Sequence, residues 1–133
     1  MEYFDREGCT CVLCRDDRLV SSYRRGVAPL LELLDSGEDF SGFSAADKVV
    51  GKATALLYRL LGVKALYAGV ISQAALDVLE GSGIALQWQE KVPYIINRAG
   101  DGQCPMEAAT AQIDDPRAAL EAIRQTLKAL QSH

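Results

Sequence analysis

The stretch Ala65–Ile71 (ALYAGVI) constrains this chain more than any other. It is a near-continuous apolar run of strand length, the mark of a central strand covered on both faces. Gln73–Leu79 follows as a short helix closed by Gly81-Ser82-Gly83, and Ile84–Trp88 reads as a further strand. Strand, helix and strand in such quick succession imply a parallel pair joined by a right-handed crossover.

The flanking segments extend that unit. Thr10–Arg24 reads as a hairpin: Thr10–Cys14 and Leu19–Tyr23 are the strands and Asp16-Asp17 the turn. Leu30, Leu31, Leu33 and Leu34 make a short helix with Pro29 in its first turn and Ser36-Gly37 at its end. Ser44–Leu61 reads as one long helix. Ser44 and Asp47 resemble a capping box, Gly62 is a natural stop, and Val49, Val50, Ala53, Leu56, Leu57, Leu60 and Leu61 form a wide apolar face. Val92–Asn97 is expected as an edge strand, because Pro93 cannot donate to a central ladder. After the turn Ala99–Gly102, Cys104-Pro105-Met106-Glu107 opens a helix to about Ala111. Asp114-Asp115-Pro116 caps a last one with the stripe Leu120, Ile123, Leu127 and Leu130. The sum is an α/β chain, a three-layer α/β/α sandwich around a mixed sheet of about five strands.

Size and charge narrow the function classes. The chain has 133 residues, 49% of them apolar, which fits a single domain over 1–133, with residues 1–8 expected as a flexible N-terminus. The 14 Lys and Arg against 18 Asp and Glu give a net charge of -4, which argues against nucleic-acid binding. The sole histidine is His133, so a Ser-His-Asp triad, a Cys-His pair and a His-ligated metal are not expected. Met1–Gly8 (MEYFDREG) is charged and is expected to be neither a signal peptide nor an anchor, and no window is apolar enough to span a bilayer. With four cysteines (Cys9, Cys11, Cys14, Cys104) and no export signal, a cytoplasmic location is expected.

The order of elements, with the runs DKVVGKATALL, GVISQAALDVL and INRAGDGQCPME, resembles a small prokaryotic family of unknown function with a cytidine-deaminase-like fold. The likeness runs from about Val12 to Glu107. Deaminases of this fold place His-Ala-Glu or Cys-Ala-Glu at the start of the central helix and Pro-Cys-x-x-Cys at the start of the next. These motifs bind Zn²⁺ and supply the proton-shuttling Glu. On this chain the resemblance puts the ligand His at Gly51 and the Glu at Ala53. The two ligand cysteines fall near Ser72 and Ala75. None of the four chemical groups is present, so zinc-dependent deamination is not expected, and neither a metal nor a cofactor is assigned.

Three constellations remain. Gly51 and Lys52 could hold a small anionic, nucleotide-like ligand, with Ser72 as a further polar contact; the bland alternative is a solvent-facing lysine beside a packing glycine. Cys104 at a helix N-cap would feel the positive end of the helix, with Glu107 and Asp101 near it. That arrangement is either a reactive thiol without a histidine base or merely a helix start. The four cysteines could together bind zinc or an iron–sulfur cluster, although Cys9, Cys11 and Cys14 do not share one face of a strand. The first twenty-five residues also hold Arg6, Arg15, Arg18, Arg24 and Arg25, offset by acids and read as a solvated face. The favoured expectation is a ligand-binding protein without zinc catalysis. The alternatives are a thiol enzyme, a metal protein and a homodimer.

Overall fold

The computed structural model describes residues 11–15, 18–22, 28–93 and 109–131. The hairpin comes first: β1 (Cys11–Arg15) and β2 (Arg18–Ser22) pair antiparallel, with Leu13 opposite Val20. α1 follows at Ala28–Asp35, where Leu30 and Leu31 supply the buried stripe.

Residues 44–61 correct the single long helix. They form a strand, β3 (Ser44–Val50), and a separate helix, α2 (Lys52–Leu61), joined through Gly51 alone. Gly51 is extended at φ -97° and ψ -177° and acts as the N-cap. The stop is where Gly62 predicts it: this residue takes the left-handed conformation, φ 76°, and its N–H bonds to the Tyr58 carbonyl at 3.0 Å. β4 (Ala65–Ser72), α3 (Gln73–Leu79) and β5 (Ala85–Val92) continue the pattern. β5 runs further than Ile84–Trp88 and takes in Val92. Pro93 follows as a bend and not as a strand residue; the rest of the expected edge strand (94–97), the turn 99–102 and the first part of the helix from Cys104 lie outside the described residues.

The strands form one mixed sheet in the order β2-β1-β3-β4-β5. β1 is antiparallel to β3, and β3, β4 and β5 are parallel. The last helix, α4 (Pro116–Gln131), starts as expected, with Asp115 Oδ2 accepting the Ala118 N–H at 3.0 Å. Helices α1 to α4 all contribute to one core. Leu30, Leu56, Leu57, Tyr58, Val78, Leu79 and Ile123 pack with Leu13, Ala45, Leu66, Ala68 and Ile71 of the sheet. The opposite sheet face buries Val12 and Ala46 beside Tyr67. α1 and α4 are also tied on the surface by Arg124 and Asp35, 2.6 Å apart. At the hairpin the Arg18 guanidinium pairs with Glu38 and lies over the Phe40 and Phe43 rings, so this arginine is a packing element as well as a solvated one. Among the described residues, no helix is long and apolar enough to cross a membrane.

The two central strands share one irregularity. On β3, Ala45 and Asp47 face the helices, but the next inward residue is Val50, while Val49 is 47% exposed. On β4, Leu66 and Ala68 face inward and the next inward residue is Ile71. Both alternations therefore slip by one residue at the same level, between Asp47↔Ala68 and Val49↔Val70. The backbones close up there: a Cβ on Gly69 would lie 2.7 Å from the Lys48 carbonyl oxygen. Only glycine fits without backbone movement.

Candidate functional site at the ends of the parallel strands

Parallel pairing carries the sequence-predicted ligand residues to one place. Val50 pairs with Ile71, so the next residues, Gly51 and Ser72, stand side by side at the carboxyl ends of β3 and β4. Each is the N-cap of the helix that follows. In open α/β sheets this edge is where ligands gather. Gly51, Lys52 and Ser72 are therefore brought together, and Gly51-Lys52 stands at the start of a helix rather than within one.

The two corners differ in their chemistry. Ser72 is 1% exposed, and its Oγ accepts the Ala75 N–H at 3.1 Å, closing α3 from within. Gly51 has no side chain to offer, and α2 opens without a side-chain cap. Lys52 is the first residue of α2 and is 7% exposed, so it is not the solvent-facing lysine of the bland reading. A cation there opposes the positive end of the helix. Its ammonium is held by the Ala111 carbonyl at 3.1 Å and the Asp114 carboxylate at 2.9 Å. The Asp114 side chain is itself 85% exposed. The segment 110–114 thereby lies against the α2 corner, with Thr110 fully buried and its carbonyl accepting the Ile113 N–H.

Sequence reasoning took Asp47 for a helix cap, and the structure gives it another setting. It is 8% exposed on the inner face of β3. Its Oδ2 accepts the Tyr58 hydroxyl of α2 at 2.8 Å, and its Oδ1 accepts the Val49 N–H at 3.3 Å, at the slip itself. Burial pushes the carboxyl up to about 7, against the opposing bonds from Tyr58, Val49 and Lys48. In the sequence, an Asp two residues before a β-branched pair is the one signal of this setting, and the same residues also fit a helical cap.

Cys104, Glu107 and Asp101 lie outside the described residues, as does Cys9. Cys14 is an exposed free thiol on β1. Among the described residues, no three His, Cys, Asp or Glu side chains are grouped as a metal would require.

Fold and edge together define an α/β protein with a five-stranded mixed sheet and two adjoining strand-to-helix corners, one carrying a buried lysine. The chain belongs to the family described as TM1506, domain of unknown function (DUF1893), which matches residues 1–127. It is similar to the crystal structure of a DUF1893 family protein (TM1506) from Thermotoga maritima. The two are 28% identical with a TM-score of 0.83, over 96% of this chain and 85% of that one. No curated protein matches the chain.

Proposed function

We propose that the joined corners of β3–α2 and β4–α3 bind a small anionic, nucleotide-like ligand, on a deaminase-like scaffold that carries no zinc chemistry. The carrying observation is Lys52: a buried ammonium at the first residue of a helix, where an anion is the natural complement. The Asp114 partner is mostly exposed, so a stronger anion can take its place at little cost. Gly51 leaves the first turn of α2 open to close approach, and Ser72 holds the neighbouring helix start against it.

The scaffold reading rests on strand order and on residue types. A hairpin antiparallel to a parallel β3-β4-β5 core fits the order that the resemblance implies, and a third layer over Val12 and Ala46 would complete the sandwich. The positions of the deaminase groups hold Gly51, Ala53, Ser72 and Ala75, whose side chains supply neither a zinc ligand set nor a proton-shuttling acid. The reading carries with it a cytoplasmic protein.

The test is thermal stability against inorganic phosphate, adenosine monophosphate and ribose 5-phosphate. At a hundredfold excess over the dissociation constant, binding adds about 2.7 kcal/mol, a rise of several degrees in Tm. Lys52→Gln abolishes the rise. A rise that survives in Lys52→Gln, or none with any of the three anions, overturns the assignment.

A further inference from the structure

Among the described residues Asp47 is the one buried acid, and it lies apart from the anion corner, in the core three residues before Val50. Three features converge on it. It spans two elements, because the Tyr58 hydroxyl reaches it from α2. It also satisfies the Val49 N–H beside the point where β3 slips and the Lys48↔Gly69 pairing is skipped. The slip in turn decides that Val50 points inward and that Gly51 can open α2. We propose that Asp47 and Tyr58 form a pH-sensitive latch between β3 and α2, closed when Asp47 is protonated and loosened when it is ionised.

The hydrogen bonds can be written for both states. When ionised, the carboxylate accepts from Tyr58 and from Val49, and a full negative charge stays in the core. When it takes a proton from solvent at Oδ1, Oδ2 still accepts the Tyr58 hydroxyl across the same 2.8 Å, and the Oδ1 hydroxyl oxygen keeps a lone pair for the Val49 N–H. The protonated form keeps the geometry and removes the buried charge, so it is the closed one.

Among the described residues, the register neighbours of Asp47 and the α2 residue that bonds to it bring no cation against that charge. From β4 it meets Ala68, from β1 its register partner is Cys11, and from α2 it meets Tyr58. Lys48, next in sequence, is exposed. Lys52 is committed to Ala111 and Asp114 at the corner. Desolvation is accordingly the largest influence on the carboxyl.

The sign of the pH effect follows. A carboxyl whose folded value is raised from 3.8 to about 7 binds more protons in the folded than in the unfolded chain between those limits. Its contribution is whole below about pH 4 and is lost as pH rises through about 7. Loosening then starts at β3 and α2, the elements the latch joins.

The test uses the intact protein at pH 5.5 and 8.5. Carboxyl carbon NMR follows Asp47 directly, and amide hydrogen exchange, corrected for intrinsic rates, follows residues 47–50 and 54–61. The expected result is a carboxyl midpoint well above the ordinary value and about tenfold less protection in these two segments at the higher pH. Asp47→Asn, neutral at both pH values, shows no such loss. Tyr58→Phe removes a donor that favours the ionised form and moves the midpoint higher still. If Asp47→Asn fails to fold, the rise of the midpoint in Tyr58→Phe decides the matter, and a midpoint unmoved by that substitution overturns the latch. A midpoint near 4, protection indifferent to pH, or an equal loss in Asp47→Asn overturns the latch.

Discussion

The two corners at the carboxyl edge of the sheet occupy equivalent places and are closed by opposite means. At β4–α3 the chain closes itself: Ser72 caps α3 three residues on. At β3–α2 the chain closes nothing locally; Gly51 is bare, and Lys52 binds the segment 111–114, some sixty residues away in sequence. One corner is a local structure and the other a tertiary one. A locally capped helix start survives loss of distant contacts, whereas one completed from afar can be opened by whatever competes for the distant partner.

That contrast can be broken or sharpened by substitution. The largest effect is expected at the element both corners depend on. Gly69→Ala drives a Cβ into the Lys48 carbonyl, forces the paired slip apart, and costs roughly 3 kcal/mol or more. Urea denaturation measures it, and a loss below about 1 kcal/mol means that the strands can re-space.

The corners themselves are separated by a pair of variants. Ser72→Ala costs about 1 kcal/mol, with exchange protection lost in α3 alone. Lys52→Met keeps the buried stem, removes a cation from a helix N-terminus, and costs less in global stability while releasing 110–114. If Lys52→Met is the more destabilising and leaves 110–114 protected, the comparison fails. The smallest effect belongs to the surface tie between α1 and α4. Arg124→Ala is expected to change stability by no more than about 0.5 kcal/mol, and less still in high salt, as for other exposed ion pairs.

Much of this arrangement was legible in the residues. The hairpin, β4, α3 and α4 announced themselves because their apolar spacing, turn residues and caps agree. β3 did not, for a specific reason. Its slip leaves Ala45, Ala46, Val49, Val50 and Ala53 at spacings of one, three, one and three. That rhythm belongs to a helix, and Ser44 with Asp47 completed the imitation. β5 was read short because Gln87, Gln89, Glu90 and Lys91 are exposed and leave no alternation to follow. At the candidate site, parallel pairing brings Gly51, Lys52 and Ser72 to one edge of the sheet. The burial of Lys52 and Asp47 was invisible, since both depend on partners that no local pattern specifies.

The paired slip has a consequence for how such a chain can vary over time. Ala45 faces Leu66 below it and Val50 faces Ile71 above it, so the offset between the strands is the same on both sides. Each strand therefore carries one residue beyond a plain alternation, at the same height. Deleting a residue near Lys48 alone would put β3 out of step with β4 for every residue up to Gly51, and deleting one near Gly69 alone would do the converse. On this geometry the two surplus residues can be gained or lost only together. A lineage that dispensed with them would have to lose both, and with Lys48 and Gly69 would go the reason for a glycine at that height.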